Sequence, residues 1–557
     1  MSRVLKSKLI WDRVRGAKYF WLTLLAAITS VALKFWLLLN DSIPFNADEA
    51  IVALMARHIL NGERPLFFYG QSYMGSADAW LVAAGFMIFG AHVWVIRVIQ
   101  LLLYMLVLGS TAWLGRLVFG SWKQGVIAVW LLAIPTVNVT LYTTASLGGY
   151  GEALLIGNLI LILGLLILER FSNGNKPSMA LWFVLGGLIG AGFWINGLTL
   201  IYSIPMIIYM GLWSWRSWYK CSALFHVKYI CLAGLILTLG ALAGAAPWWL
   251  STLKQGIGSP VLELSGSAIA GVEGLSWVLQ AWQHLINFAL LGTTVIFGIR
   301  PPWGVQWLAL PMLPFILFFW IAVIVYAFKP KPDRARGDYH ALLIGVMMTM
   351  IVGFILTPFG ADPSGRYFLP LAVSLALLAA DMLLALVGRV GNWAWLLAGF
   401  VILYNLIGTI QTAAAVPPGI TTQFNPVTQI DQRALPSLLT FLRDRGEMAG
   451  YSNYWVSYPL AFQSQEKMIF IPALPYQQDF RYTARDNRYP KYEEEVALSK
   501  KVAYITTHHP ALDEYLREKF KRAGVSWKET RIGDFQVFYA LSKLIRPEEI
   551  GLGMTTP

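Results

Sequence analysis

Apolar residues in this 557-residue chain fall in long unbroken runs between residue 19 and about residue 412. They show neither the alternation of half-buried strands nor the narrow stripe of a soluble amphipathic helix. Runs near 20 residues match the hydrocarbon thickness of a bilayer. The pattern predicts about eleven transmembrane helices, at residues 19–39, 93–114, 126–141, 150–168, 179–195, 198–213, 229–246, 308–328, 341–359, 367–387 and 393–411. A β-barrel would show about ten-residue alternating segments, which this sequence lacks. Two shorter apolar segments lie between the first two spans. Residues 47–60 place Ile51, Met55 and Ile59 at helical spacing with Gly62 beyond, which predicts an interfacial helix. Residues 78–89 form a second short segment closed by Gly90.

After Pro417 and Pro418 the pattern changes to that of a small α/β domain over residues 420–545. A helix after Asp431 runs to Gly446, and strands are expected at 447–451, 467–471 and 501–506. A helix follows from Pro510 to Arg522, then a hairpin, 527–531 and 535–540, around Gly533 and Asp534.

Composition agrees with a lipid solvent: 57% of residues are hydrophobic and only 13% charged. The net charge of +13 is not a nucleic-acid signature, because much of the excess sits in short loops between apolar runs. The basic flank before residue 19 and Lys329, Lys331, Arg334 and Arg336 mark the cytoplasmic side. The expected organisation is a transmembrane domain, 1–415, with outer loops 40–91 and 251–307, and an extracytoplasmic domain, 420–545, in a plasma (inner) membrane protein. The first apolar run has no small-residue cleavage site and reads as a retained span. Two cysteines, Cys221 and Cys231, imply no disulfide framework.

Candidate chemistry clusters on the outer side. Asp48 and Glu49 directly follow the first span. Both suit a helix N-terminus, with Asn46 as cap and Glu49 in a capping-box position. The functional alternative is a general base where a lipid-facing cavity meets water. The aromatic and glycine-rich loop 67–78 presents Tyr69, Gln71 and Tyr73 and ends at Asp78, either a helix cap or a second active-site carboxylate facing Asp48. Between the ninth and tenth spans stand Asp362, Arg366 and Tyr367. A guanidinium there either snorkels to headgroups or clamps a phosphate oriented by Asp362. Tyr150 and Glu152 begin the fourth span. Lys34, near the outer end of the first, is expected to snorkel. His284, Glu263 and Glu273 share one loop, but their spacing matches no metal signature. A divalent metal is therefore compatible with the sequence but not indicated by it. The stretch from Arg481-Tyr482 to Arg488-Tyr489-Pro490-Lys491-Tyr492 mixes cations with aromatics, as a glycan contact or a solvated loop with buried tyrosines.

These islands resemble the GT-C superfamily of integral-membrane glycosyltransferases, in its protein O-mannosyltransferase and aminoarabinose-transferase branch. The resemblance rests on Asp48-Glu49 after the first span, the 67–78 loop followed by Gly90 and Arg97, the Ser364-Gly365-Arg366-Tyr367-Phe368-Leu369-Pro370 element, and Tyr451 to Trp455 with Phe462 to Ser464. The chain departs from that branch in lacking a His-Pro-Pro or Lys-Pro-Pro element in its first loop. The resemblance implies a GT-C fold and a polyprenyl-phosphate sugar donor. It also implies a glycan, lipid or protein acceptor and inverting transfer to a hydroxyl. Asp48 would be the base, Glu49 and Asp78 would orient substrate, and Arg366 with Tyr367 would hold the phosphate. Tyr69, Gln71, Tyr73, Tyr150, Glu152 and Asp362 would line the substrate site. A lipid-linked sugar transporter is the rival expectation, though the chain shows none of the repeated halves common in transporters.

Overall fold

The computed structural model describes residues 2–218, 223–256, 276–329, 334–362, 364–415, 419–423, 426–480 and 482–553. All eleven expected spans fall on helix. Among the described residues, seven helical stretches are long and apolar enough to cross a membrane, and a bent pair makes an eighth. One of the seven, Leu371–Ala413, contains two helices that meet at Gly391, whose φ of 64° breaks the helical path.

Three expected spans differ from simple crossings. The third is two helices, Trp122–Ala133 and Val137–Tyr142, because Pro135 interrupts the hydrogen-bond ladder. The fifth, Met179–Ile195, is a 17-residue apolar helix. The seventh bends by 61° where Ala246–Gln255 begins, with Pro247 in its first turn. Glycines let the fifth and seventh meet backbone to backbone. A Cβ on Gly186 would lie 1.9 Å from the Leu237 carbonyl oxygen, and one on Gly240 2.2 Å from that of Phe183.

The segment expected to be a loop at 251–307 is helical over much of its described length, with α-helix at Trp277–Ile286 and a π-helical turn at Asn287–Gly292. Glu263 and Glu273 lie outside the described residues. His284 is buried, with Nδ1 3.0 Å from the Ile355 carbonyl oxygen. Among the described residues no group of three or more His, Cys, Asp or Glu side chains is arranged to hold a metal.

The first inter-span segment carries α2 (Ala47–Leu60), the strands β1 (Phe67–Phe68) and β2 (Gln71–Gly75), and α3 (Ala77–Phe89). Here α2 departs from expectation. It is buried on nearly every face rather than lying at an interface. Its alanines at 47, 50, 53 and 56 let α3 pack closely on one side and the C-terminal domain on another.

That domain is a five-stranded sheet, in spatial order β4-β3-β5-β7-β6, with β3 Ala449–Tyr451, β4 Ile469–Ile471, β5 Ala503–Thr507, β6 Lys528–Ile532 and β7 Phe535–Tyr539. β3 pairs in parallel with β4 and β5, and the β6–β7 hairpin closes the sheet antiparallel to β5. The elements follow those expected for residues 420–545 to within a few residues. Phe462, on the helix Tyr454–Gln463, joins this domain to the first segment: its ring lies 5.6 Å from Phe45 and stacks 6.0 Å from Phe86. The backbone N–H of Ile420 donates to the Ser42 carbonyl at 2.7 Å. His58 contacts Glu466 at 2.7 Å, and Lys491 pairs with Glu63 at 2.6 Å. The sheet domain and the first segment therefore share one core.

Candidate active site

Asn46 caps α2, accepting the Glu49 N–H at 3.0 Å. The cap frees both carboxylates for other partners. The expected capping box stops halfway, because the Glu49 side chain turns inward and pairs with Arg97 at 2.5 Å. Arg97 also donates to the carbonyls of Ile43 and Pro44. Both side chains are almost wholly buried. Burial pushes the Glu49 carboxyl up to about 7, against the opposing pull of Arg97.

Asp78 is not a cap; Ser76 occupies that position. Its buried carboxylate accepts from Ser146 Oγ at 2.6 Å and Gln100 Nε2 at 3.1 Å, and from the Gly148 and Gly149 N–H groups. Gly148 and Gly149 hold φ of 95° and 85°, the left-handed conformation that lets successive N–H groups converge on one anion. Burial raises the Asp78 carboxyl, and these donors oppose it. Buried Glu152 faces Asp78, and the two carboxyl groups bear on each other. Asp78 thus bears on Glu49 and Glu152.

Asp48 is different: it is half-buried, and one oxygen accepts the Tyr454 hydroxyl at 2.5 Å. Tyr454 comes from the C-terminal domain, 406 residues away in sequence. Arg488 packs on the Tyr454 ring, 5.5 Å from its centroid. It donates to the Gly70 carbonyl at 3.1 Å and, with the Gln71 amide turned, to the Gln71 oxygen at 2.9 and 3.0 Å. Asp48, Tyr73 and Asp486 bear on Arg488 electrostatically. Neither Tyr454 nor Arg488 was a predicted site residue. The cation–aromatic mixture around Arg488 and the island around Tyr454 were the available signals.

Arg366 pairs with Asp362 at 2.5 Å and lies 4.9 Å from the Tyr367 ring centroid. Its side chain stays one-third exposed and its buried Nε has no partner among the described residues, so the fork keeps an unused donor there. Gly365, with φ 96°, sets the turn, and Asn138 Nδ2 holds its carbonyl at 3.0 Å. Tyr73, Tyr150 and Tyr367 bear on Arg366, so the cation stands among tyrosines. Buried Tyr142, whose ring meets Tyr150 edge-on at 5.1 Å, feels both Arg366 and Asp48.

Two predicted residues lie elsewhere. Tyr69 is built into the domain junction, donating to Glu63 at 2.8 Å and stacking 5.0 Å from Tyr489. Lys34 does not snorkel. It is buried, donates to the Thr143 carbonyl at 2.8 Å and sits 3.5 Å from the centroid of the Tyr104 ring.

The architecture of this chain is the GT-C fold. Archaeal oligosaccharyltransferase AglB from Archaeoglobus fulgidus, solved with an inhibitory peptide and a dolichol-phosphate, matches with a TM-score of 0.52 at 16% identity, covering 94% of this chain and 74% of its own. ArnT from Cupriavidus metallidurans, bound to undecaprenyl phosphate, matches with a TM-score of 0.55 at 14% identity, covering 92% and 97%. No protein-family profile matches the sequence. Inner membrane protein YcdZ of Escherichia coli (strain K12) is 28% identical over 117 residues, 20% of this chain and 70% of that protein. The chain is thus an integral membrane protein of GT-C fold.

Proposed function

We propose that the chain is an inverting glycosyltransferase, moving a sugar from a polyprenyl-phosphate donor to an acceptor hydroxyl on the outer face of the membrane. The observation that carries this reading is the placement of Asp48 and Arg366 about one tyrosine, Tyr142. A carboxylate and a cation that both act on one tyrosine suit a displacement at a sugar carbon. Structures with this fold have been solved with dolichol-phosphate and undecaprenyl phosphate bound, which supports a polyprenyl-phosphate ligand here.

The other oxygen of Asp48 takes the acceptor's hydroxyl proton as the acceptor oxygen attacks the anomeric carbon. The bond from that carbon to the donor phosphate oxygen breaks on the opposite face. The phosphate leaves as a monoester with added negative charge, which Arg366 receives. Preorganised stabilisation of this kind is worth about 3 kcal/mol. Asp362 and Tyr367 hold the guanidinium, and Tyr73, Tyr150 and Gln71 border the space between. Glu49, Asp78 and Glu152 shape the site from beneath. The basic loop charges orient the N-terminus to the cytoplasm and the sheet domain outside.

The test is transfer by purified protein in lipid nanodiscs, with a labelled polyprenyl-phosphate sugar and candidate acceptors. Wild type releases polyprenyl phosphate and labels the acceptor. Asp48→Asn folds but loses transfer by about 100-fold or more. Near-normal turnover by that variant would overturn the assignment of the base. Movement of intact donor across the bilayer without sugar release would make the protein a transporter.

A further inference from the structure

A second cavity, of about 880 Å³, opens between the outer end of the first span, the start of the Val93–Phe119 helix, the end of the Ala394–Ala413 helix and the sheet domain. That volume lies in the range of ligand sites. Its walls are of two kinds. Phe35, Leu39, Trp94 and Val98 form an apolar half and are exposed. Asp41, Asp431, Arg433 and Arg97 form a charged half. Asp41 directly follows the first span, where headgroups meet hydrocarbon.

The charged half is not self-satisfied. Arg433 uses Nε and Nη2 on Asp431, leaving Nη1 without a bond among the described residues. Arg97, 4% exposed, spends Nη2 on Glu49 and leaves Nε and Nη1 unbonded. Asp41 bears on Arg433 but accepts no hydrogen bond among the described residues, and its φ of 51° holds it in a left-handed turn. Two guanidinium groups and a free carboxylate at the head of an apolar trough call for a ligand carrying both signs.

We infer that this cavity binds one zwitterionic membrane phospholipid with a primary amine in its headgroup. The lipid phosphate meets Arg433 and the Arg97 side of the cavity, the ammonium meets Asp41, and an acyl chain lies along Phe35, Leu39, Trp94 and Val98. A purely anionic headgroup has the phosphate but no ammonium to set against Asp41 and Asp431. A choline headgroup has no N–H for Asp41. Arg97 pairs with Glu49 on its other side, so the lipid would sit behind the wall of the candidate active site. The inference does not depend on the transfer reaction.

The experiment is native mass spectrometry of protein equilibrated with equal amounts of phosphatidylethanolamine, phosphatidylglycerol and phosphatidylcholine of matched chains. Wild type is expected to retain one phosphatidylethanolamine in preference to the others. Asp41→Asn and Arg433→Gln, both at exposed positions, should each reduce that retention about fivefold at most and together by more. Val98→Trp, which fills the apolar half, should abolish it. Retention without headgroup preference would overturn the inference as an unselective lipid annulus. So would unchanged retention in the Asp41→Asn, Arg433→Gln double variant with an unaltered unfolding midpoint. If Val98→Trp fails to fold, the two charge variants decide alone.

Discussion

The site has a floor and a roof, built on opposite principles. The floor comprises Glu49, Arg97, Asp78 and Glu152 with Gln100 and Ser146. It is buried and drawn wholly from the membrane domain, with Glu49 engaged by Arg97 and Asp78 held by Gln100 and Ser146. The roof comprises Asp48, Tyr454, Gln71 and Arg488. It straddles two domains, remains partly open, and leaves one oxygen of Asp48 without a hydrogen bond among the described residues. Adjacent residues of one helix, Asp48 and Glu49, thus belong to different machines. A carboxylate engaged by a buried arginine is held in place, and it is a poor proton acceptor for an incoming ligand. A half-buried carboxylate oriented by one hydroxyl can accept a proton.

The sharpest way to break this contrast is to remove Arg97. Arg97→Leu leaves Glu49 buried without its partner, which costs about 3–5 kcal/mol. The expected outcome is loss of folded protein from the membrane fraction, read by thermal unfolding in detergent. Arg97→Leu with Glu49→Leu should recover much of it, because the uncompensated charge is gone. If the single variant keeps wild-type stability, the floor is not structural and Glu49 returns as a candidate for chemistry.

Arg366 comes next, because it is only one-third exposed yet keeps an unused donor. Arg366→Gln should lower kcat about 100- to 1000-fold with little change in unfolding midpoint. Arg366→Lys keeps charge but loses the planar fork, and should fall between. A stability loss as large as that of Arg97→Leu would move Arg366 from the reacting end of the site into the scaffold.

These contrasts were unequally legible in the sequence. The eleven helical segments and the strands of the sheet domain follow from local periodicity, and local periodicity survives folding. Pairings such as Glu49 with Arg97 and Asp48 with Tyr454 do not, because 48 and 406 residues separate the partners. The capping-box pattern at Asn46 and Glu49 suggested a local bond that Arg97 outcompetes, since a buried cation offers more to a carboxylate than a backbone N–H. The interfacial placement expected of α2 rested on the spacing of Ile51, Met55 and Ile59, and local spacing does not show which elements cover the other faces. In the fold its alanines are buried as well. Lys34 misled for a related reason. Its position suggested an escape to headgroups, while Thr143 and Tyr104 satisfy it internally.

A smaller effect tests the roof alone. Tyr454→Phe removes the hydroxyl donated to Asp48 while keeping the ring under Arg488. Without that hydroxyl to orient the Asp48 carboxylate, kcat should fall about tenfold while the unfolding midpoint stays close to wild type. A structural role for Tyr454 would instead lower the midpoint.

The smallest expected effect separates floor from roof by pH. Burial pushes Asp486, beneath Arg488 in the roof, up to about 7 despite the cation beside it, and Glu49 in the floor also rises to about 7. A carboxyl raised on folding adds stability that is full below its unfolded pKa and is lost as pH rises through the folded one. Glu63 at the domain junction works in the opposite window. Burial would raise it, but Lys491, Tyr69 and Tyr489 outweigh that and hold it near 2, so its contribution is present above about 4.5 and lost as pH falls through 2. Thermal midpoints should therefore peak near pH 5 and decline toward pH 8. Asp486→Asn stays neutral throughout, so it should flatten part of the decline above pH 5 and leave the acid side unchanged. The remaining slope belongs to Glu49. An unchanged slope in Asp486→Asn would mean that the roof opens to water, relaxing Asp486, before the protein unfolds. In that case the sheet domain lifts from the floor as a unit, and the two regions differ in stability as well as in chemistry.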